Sequence, residues 1–198
     1  MPSLQKPAES FVLFTDFFDQ PTCDRIVAEM RTAQAAAATV YGQSSDGSVN
    51  ENVRKTLRVQ PAPEIVDLVT DRLAACKADV ENHFGVRLTE CEEPQFLRYR
   101  EGDFFVAHQD GNTGLLRLDT ERRLISTVIF LSRESETPQA DTHCGGSLVI
   151  TDLRAPADRS RTRVSADRGT LLAFRSETTH EVTPVTHGER FSIASWYR

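Results

Sequence analysis

Apolar residues recur at helical spacing in two segments of the first half of the chain, and this spacing predicts two helices. The first helix is predicted within TDFFDQPTCDRIVAEMRTAQAAAA. Asp19 is placed to cap its N-terminus, and Pro21 lies in its first turn. The pattern therefore predicts a helix that packs one apolar face on the core, formed by Ile26, Val27, Met30 and Ala33.

The second helix is predicted to begin after Pro61 and Pro63 and to end at Gly85. Between the two helices, the polar segment YGQSSDGSVNEN at 41–52 breaks the periodicity and is predicted to be an exposed loop. One apolar stripe runs along the second helix and is expected to cover a sheet. It is formed by Ile65, Leu68, Val69, Leu73, Cys76, Val80 and Phe84.

From residue 95 the pattern changes to short runs of β-type residues separated by turns. A strand is also predicted near the start of the chain, at Phe11–Phe14. The later strands are predicted at 95–100, 103–110, 122–132, 147–151, 162–166, 169–175, 180–185 and 189–197. Two helices followed by about eight strands predict an α+β fold, with the strands in a sandwich or barrel of the jelly-roll kind.

Composition narrows the class of protein. The chain has 198 residues, the length of one domain, with 39% hydrophobic and 26% charged residues, an ordinary globular balance. A formal net charge of -6 argues against a general nucleic-acid binder, and the basic stretch from Arg154 to Arg168 is interpreted as a solvated loop and strand. No secretory pattern and no run long enough for a membrane span is found. With four dispersed cysteines, we expect reduced thiols and a cytoplasmic location.

The segment VAHQD places a histidine and an aspartate two residues apart in a predicted strand. Strict alternation would put His108 and Asp110 on one face with Phe104 and Val106. An HxD pair alone is weak evidence, because five histidines and 29 acidic residues make such a pair common by chance. The turn sequence His187-Gly188-Glu189 has the same form. The pair needs support from elsewhere in the chain.

That support comes from the last segment, TTHEVTPVTHGERFSIASWYR. His180 opens a predicted strand, and the chain is predicted to return through a turn with Gly188 in the left-handed conformation. With a three-residue loop, the residues on the face of His180 are Arg190, Ser192 and Trp196. Phe191 and Ile193 then face the helices. The inward face thus combines histidines, an aspartate and a buried arginine.

Two histidines and one carboxylate on one side of a metal leave positions open for other ligands, as in non-haem Fe(II) oxygenases. A structural zinc site would instead close its fourth position with a protein ligand. The planar fork of an arginine suits a carboxylate, so a dicarboxylic keto acid that chelates the metal at one end would be held by Arg190 at the other.

Over about residues 95–197 the chain resembles the Fe(II)/2-oxoglutarate dioxygenases of the prolyl 4-hydroxylase type. The order and spacing of many motifs agree with that family. They are Tyr99, Gly102, His108-Gln109-Asp110, STVIFLS, Gly145-Gly146, GTLLAF and HEVTPVTHGERFSIASW. In the N-terminal half, ENVRKT is similar to a family segment containing an arginine.

The resemblance implies a double-stranded β-helix with N-terminal helices packed on one sheet. Residues 1–94 would form helical support and a substrate loop, and residues 95–198 the metal-binding core. Iron would be held by His108, Asp110 and His180, and 2-oxoglutarate by Arg190, with O2 as co-substrate and ascorbate as a candidate reductant. Other implied site residues are Tyr99, Ser192 and Thr127 in the co-substrate pocket, and Trp196 and Arg54 toward the substrate.

One position departs from the family. Several relatives carry a tyrosine where this chain has Phe130, so a hydroxyl that helps to bind the keto-acid carboxylate is missing. Thr127, Tyr99 and Ser192 are the candidates to supply that hydroxyl.

Three functions stay open at this stage. The resemblance favours a hydroxylase of prolyl or other side chains in a peptide or protein, with the 41–56 loop closing over the target and 2-oxoglutarate decarboxylated to succinate. A hydroxylase of a free amino acid or another small metabolite is the alternative. A non-catalytic module that senses 2-oxoglutarate or iron is the alternative of another class. A zinc hydrolase is disfavoured, because the chain has no HExxH motif to supply a general base.

Overall fold

The computed structural model describes residues 11–40, 48–111, 122–152 and 161–198. In these ranges the chain forms the helices α1 Gln20–Thr32 and α2 Pro63–Phe84. The strands are β1 Phe11–Phe14, β2 Gln34–Ala37, β3 Arg54–Lys55, β4 Leu57–Gln60, β5 Gln95–Tyr99, β6 Phe104–His108, β7 Ile125–Phe130, β8 Arg133–Glu134, β9 Thr142–Gly145, β10 Leu148–Thr151, β11 Arg161–Arg163, β12 Leu171–Arg175, β13 Thr179–Val182, β14 Val185–His187 and β15 Arg190–Tyr197.

Two main sheets form the body of the protein. The larger has the strand order β1-β12-β7-β15-β5-β4-β2, and the smaller has the order β11-β10-β13-β6-β3. A further small sheet joins β14, β9 and β8. Residues of both main sheets meet in one apolar cluster that includes Leu97, Leu172, Phe174, Leu148 and Val182. The two sheets therefore pack face to face, as predicted for a jelly roll.

A second apolar cluster lies on the other face of the larger sheet and joins it to both helices. Ile26 and Met30 of α1 and Leu73 of α2 are fully buried in it. Phe191 and Ile193 of β15 belong to this cluster, which confirms the prediction that they face the helices. Alternate residues of β15 therefore point to the two sides of the sheet.

Both helices form where the sequence predicts them. The backbone N–H of Thr22 donates to the Asp19 carboxylate at 2.9 Å, so Asp19 caps α1. Gly85 ends α2 in the left-handed conformation, with φ of 64°. Of the predicted stripe on α2, Leu68 is partly buried and the other six residues are buried. No helix in the described part of the chain has the length and apolar character needed to cross a membrane.

The alanine run that follows α1 is not helical, which corrects the first-helix prediction. Ala33 adopts an extended backbone and ends the helix, and Gln34–Ala37 forms β2, which pairs with β4. All four residues of β2 are exposed. Because alanine side chains bury little apolar area, the backbone hydrogen bonds of the sheet edge outweigh alanine's helical preference.

The strands of His180 and Arg190 do not pair with each other, so the predicted hairpin is wrong. β13 lies between β10 and β6 in the smaller sheet, whereas β15 lies between β5 and β7 in the larger sheet. β14 and Gly188, whose φ is 72° as the turn prediction requires, connect them. His180 and Arg190 nevertheless line one space, because their strands lie in sheets that face each other.

The N-terminal half contributes strands as well as helices. β1 pairs with β12, β2 with β4, β3 with β6 and β4 with β5, so four strands from before residue 61 extend the two main sheets. The sequence analysis predicted β1 but not β2, β3, β4, β8, β9 or β14. These strands have only two to four residues, and of them only β4, Leu57–Gln60, alternates apolar and polar positions.

Candidate metal centre

His108, Asp110 and His180 converge between the two sheets. One ligand atom from each side chain lies within 4.8 Å of the others. The Nε2 atoms of His108 and His180 are 3.6 Å and 3.5 Å from the two carboxylate oxygens of Asp110. His108 ends β6 and lies directly opposite His180 on β13. The register of two antiparallel neighbours therefore brings the histidines together, and the turn after β6 adds the aspartate.

A β-bulge changes which residues share the face of His108. Between the pairs His108–His180 and Phe105–Val182, β6 has one residue more than β13. Phe105 consequently stacks on the His108 imidazole, with ring centroids 3.5 Å apart. Val106 is 38% exposed and, like Phe104, does not line the pocket. The predicted alternation of Phe104 and Val106 with His108 is wrong, because alternation assumes an uninterrupted ladder.

Backbone carbonyls orient both imidazoles. Nδ1 of His108 lies 2.8 Å from the Val106 carbonyl, and Nδ1 of His180 lies 3.0 Å from the Thr178 carbonyl. A carbonyl only accepts, so each Nδ1 carries the proton and each Nε2 offers a lone pair. Metal-binding histidines are oriented in this way. The two rings therefore fit a metal bound between Nε2 atoms and the carboxylate.

Asp110 is held as a carboxylate. The hydroxyl of Ser126 donates to its Oδ2 at 2.7 Å, and its backbone N–H donates to the Ser176 carbonyl at 3.0 Å. Burial alone raises the pKa of Asp110, but His180, His108 and a hydrogen bond from Trp196 outweigh burial and hold the pKa well below its usual range. The centre thus offers one carboxylate and two imidazole Nε2 atoms to a metal.

Arg190 is the buried cation of the site. Its side chain is 3% exposed, and its guanidinium lies 5.0 Å from the Tyr99 ring and 5.9 Å from the Phe130 ring. Nη1 donates to the Ser192 hydroxyl at 2.8 Å, whereas Nη2 is buried and has no hydrogen-bond partner. Burial lowers the pKa of the guanidinium, opposed by Tyr99 and Glu134. A buried unpaired donor is costly, so Nη2 fits a site for a carboxylate ligand.

The three hydroxyl candidates differ in what they contact. Ser192 accepts the hydrogen bond from Arg190. Thr127 lines the pocket but donates its hydroxyl hydrogen to the Ser195 carbonyl at 2.9 Å. Tyr99 is opposite Arg190 on β5 and lines the pocket with its ring under the guanidinium. Ser192 is thus the hydroxyl paired with the arginine, and Phe130 contributes an aromatic face.

One pocket of about 190 Å³ contains all nine predicted site residues. Its walls are mainly apolar and include Leu97, Phe105, Val128, Leu148 and Val182. Trp196 is 7% exposed and Arg54 is 9% exposed, and both line this pocket. The Arg54 guanidinium lies 4.8 Å from the Phe105 ring, and its Nε is buried without a hydrogen-bond partner. The pocket therefore holds two arginines with unused donors.

The turn sequence His187-Gly188-Glu189, which has the same form as the HxD pair, lies apart from this pocket. His187 and Glu189 do not line it; His187 is 3.5 Å from Glu101, and Glu189 pairs with Arg98. Of the basic stretch, residues 153–160 lie outside the described residues. Its described members pair with acidic groups, Arg161 with Glu181, Arg163 with Glu134 and Arg168 with Asp24. The four cysteines are free thiols, and three are buried.

Sequence reasoning missed four residues that support the site. Ser126 holds Asp110, and Arg123 and Glu92 contact the pocket wall near Trp196. His143 lies beside Arg190, 3% exposed, with its Nδ1 2.9 Å from the Gly145 carbonyl. Burial and then the charge of Arg190 lower the pKa of His143 to about 4. Ser126 begins the motif STVIFLS and His143 lies beside Gly145-Gly146, but neither motif indicates these contacts, and Glu92 and Arg123 belong to no motif.

The pKa of His143 predicts how stability depends on pH. Between about pH 4 and pH 6.5 the unfolded chain binds a proton at this histidine and the folded chain does not. The free energy of unfolding therefore falls as pH is lowered through this window, by about 2 kcal/mol at pH 5. Urea unfolding at pH 7 and at pH 5 measures this fall. Between the two pH values, the free energy of unfolding should fall less for His143→Asn than for the wild type. The control His187→Asn changes an exposed histidine, and its free energy of unfolding should fall by as much as that of the wild type. An equal fall in all three proteins would contradict the prediction.

Two histidines and a carboxylate with open coordination space, beside a buried arginine, define a mononuclear non-haem iron oxygenase that uses a keto acid. Comparison with known proteins gives the same class of oxygenase. Residues 94–198 match the model of the 2OG-Fe(II) oxygenase superfamily. A PKHD-type hydroxylase of Paracoccus denitrificans is 30% identical over 176 residues, which cover 86% of this chain and 71% of the relative. The chain belongs to the 2OG-Fe(II) oxygenase superfamily.

Two further comparisons give the range of similarity. A PKHD-type hydroxylase of Shewanella sp. strain ANA-3 is 33% identical over 108 residues, covering 52% of this chain and 41% of the relative. The crystal structure of a Pseudomonas putida prolyl-4-hydroxylase superposes with a TM-score of 0.71 at 23% identity, covering 96% of this chain and 92% of that chain. The fold is therefore the double-stranded β-helix of these oxygenases, and the protein is an Fe(II)- and 2-oxoglutarate-dependent dioxygenase.

Proposed function

We propose that this dioxygenase hydroxylates a prolyl or other side chain in a peptide or protein. The hydroxylase names of the relatives and the fold shared with the Pseudomonas putida prolyl-4-hydroxylase support this substrate class. The observation that carries the proposal is the second unused arginine donor, Nε of Arg54, in the pocket of the metal centre. A backbone carbonyl of a bound peptide is an acceptor that suits it.

The geometry supports the assignments that we propose within the site. Fe(II) would be bound by Nε2 of His108, Nε2 of His180 and the Asp110 carboxylate, and the distal carboxylate of 2-oxoglutarate by Arg190. Bound iron and 2-oxoglutarate supply the oxidative chemistry, in which O2 is consumed, the keto acid becomes succinate and CO2, and one oxygen atom enters a substrate C–H bond.

The chain's own residues bind, orient and exclude water. The Val106 and Thr178 carbonyls fix the tautomers of the two histidines, and Ser126 holds Oδ2 of the aspartate. The apolar walls keep water from the charged centre, which strengthens the ion pair between Arg190 and a bound carboxylate. Ser192 holds the guanidinium by its Nη1 and leaves Nη2 for the ligand. We infer that this arrangement is organised before the ligands bind.

Arg54 is the proposed substrate contact. Its Nη1 donates to the Thr39 carbonyl at 3.2 Å, and its guanidinium covers Phe105, which in turn stacks on His108. A substrate group bound to Nε would therefore lie about one aromatic ring away from the metal ligand. Thr39 and Val40 immediately precede the 41–56 loop that we propose closes over the target, Val53 lies within that loop, and all three line the pocket. Residues 41–47 of the loop lie outside the described residues.

A small-molecule substrate is the second candidate, and the same arginine favours it. A guanidinium binds a free carboxylate more strongly than a neutral carbonyl, so a free amino acid would also satisfy Arg54. Succinate formation with free proline, with prolyl peptides and with peptides blocked at both ends separates the two classes. Turnover with blocked peptides supports the peptide hydroxylase, and stimulation by free amino acids alone would overturn it.

Reconstitution without oxygen tests the activity itself. The protein is mixed with Fe(II) and 2-oxoglutarate under anaerobic conditions, the visible charge-transfer band of the chelate is recorded, and O2 is then admitted while succinate is measured. A band followed by succinate is the expected result. A band without succinate would favour a non-catalytic sensor, and iron binding without a band would show that Arg190 does not hold a keto acid.

The substitution Arg54→Met is expected to raise the KM for the hydroxylated substrate about 10- to 100-fold, the effect of losing a hydrogen bond to a charged donor. Succinate formation in the absence of substrate should stay unchanged, because the residue does not contact the metal or Arg190. Arg58→Met is the matched control, since Arg58 lines the same pocket with a largely exposed side chain paired with Glu93. Equal substrate KM values in the two variants would contradict the role of Arg54.

A further inference from the structure

Glu92 and Arg123 form a partly buried ion pair at the wall of the pocket. Nε and Nη2 of Arg123 donate to the two carboxylate oxygens of Glu92 at 2.8 Å and 2.6 Å, a bidentate contact. The arginine side chain is only 10% exposed. Nε of Arg198 also donates to Glu92, at 2.9 Å. Burial raises the pKa of Glu92, but the two arginines outweigh burial and lower it, so the carboxylate stays charged.

This ion pair holds the single tryptophan of the chain. The Arg123 guanidinium lies 3.7 Å from the centre of the Trp196 ring. The Glu92 backbone N–H donates to the Trp196 carbonyl at 2.8 Å, and the Ser195 hydroxyl donates to the Glu92 carbonyl at 2.6 Å. The indole is therefore fixed through its backbone and covered on one face by a cation.

Trp196 in turn adjoins the metal carboxylate. It lies directly opposite Ser126 in the register of β15 and β7, and the Ser126 hydroxyl donates to Asp110 at 2.7 Å. Both Trp196 and Asp110 line the pocket. The indole is also among the hydrogen-bonding groups that lower the pKa of Asp110. A chain of contacts thus runs from Glu92 through Arg123 and Trp196 to Asp110.

We propose that Arg123, held by Glu92, is a positioning residue that keeps the Trp196 indole against Asp110 and so fixes the orientation of the carboxylate that binds the metal. The inference rests on the proposed metal site. Groups that orient a ligand change metal affinity about 10- to 100-fold when they are removed, although they do not touch the metal. Among the described residues, Nε and Nη2 of Arg123 donate to Glu92, and one face of its guanidinium covers the indole.

Metal affinity, measured without turnover, tests the proposal. Mn(II) is titrated into the full chain by calorimetry, and the emission of Trp196 is recorded in the same samples. Arg123→Met is expected to raise the Kd for Mn(II) about 10- to 100-fold and to shift the tryptophan emission. The KM for 2-oxoglutarate should change much less, because Arg123 does not contact Arg190. Glu92→Gln should change the Kd for Mn(II) and the tryptophan emission in the same direction as Arg123→Met, but by smaller amounts. This second variant keeps the test valid if Arg123→Met folds poorly.

Arg98→Met is the matched control. Nε and Nη2 of Arg98 both donate to one carboxylate oxygen of Glu189, and the guanidinium lies 5.8 Å from the Phe191 ring, but Arg98 does not line the pocket. Its loss should lower thermal stability and leave the Kd for Mn(II) unchanged. Equal Kd values for wild type, Arg123→Met and Glu92→Gln would overturn the proposal. Failure of the wild type to bind Mn(II) would instead overturn the metal site, and with it the function proposed above.

Discussion

The Asp110→Ala variant is expected to form no detectable succinate under conditions in which the wild type does. Asp110 is the one carboxylate among the three proposed ligands, and an imidazole binds a metal through a nitrogen that carries no proton. Removing one partner of a buried charge pair costs about 3–5 kcal/mol, so the Kd for Fe(II) or Mn(II) should rise by at least ~100-fold. Calorimetric titration and a succinate assay at saturating 2-oxoglutarate measure both effects.

Asp110→Asn separates the charge of this residue from its shape. The amide keeps the size of the side chain and can still accept from Ser126, but it lacks the negative charge. It should bind metal nearly as poorly as the alanine variant. His187→Ala is the control, because His187 belongs to the similar sequence His187-Gly188-Glu189 but lies outside the pocket. This variant should keep full activity. Substantial succinate formation by Asp110→Asn would contradict the assignment of Asp110 as the anionic ligand.

The Arg190→Ala variant is expected to retain metal and lose 2-oxoglutarate. A charge-assisted bidentate pair in a buried site is worth about 3–5 kcal/mol when one partner is removed, so the KM for 2-oxoglutarate should rise about 100- to 1,000-fold. The Kd for Mn(II) should stay within a few-fold of the wild type, because Arg190 contacts Ser192, Tyr99 and Phe130 and no metal ligand.

Thermal unfolding gives an independent measurement of the same site. A ligand that binds only the folded state raises the midpoint temperature of unfolding. With Mn(II) present, 2-oxoglutarate should raise the midpoint of the wild type and leave that of Arg190→Ala unchanged. Arg190→Lys keeps the charge and loses the planar fork, so it should recover only part of the shift. A full shift in Arg190→Ala would show that the keto acid is held elsewhere.

Local signals predicted the helices well. The cap at Asp19, the left-handed Gly85 and the apolar stripe of α2 depend on contacts within a few residues, so the chain encodes them directly. The alanine run at Gln34–Ala37 is the counterexample. Its backbone hydrogen bonds go to β4, more than twenty residues later, and no local pattern in the sequence predicts that pairing.

The sequence by itself predicted the chemistry of the centre. Its ordered motifs pointed to His108, Asp110, His180 and Arg190, because the residue types expected to bind iron and a keto acid are few and their order is distinctive. The structure brings all four into one pocket. Gly188 has the predicted left-handed conformation, since a positive φ is a local property that glycine adopts without strain.

Only the tertiary structure decided how these residues meet. The β-bulge in β6 places Phe105 on His108, and two sheets packed face to face, rather than one hairpin, bring His180 near Arg190. The pair of Glu92 with Arg123, 31 residues apart, depends on the same packing. Bulges, sheet packing and contacts between distant segments are set by the energy of the whole fold, so a pattern read over ten residues cannot contain them.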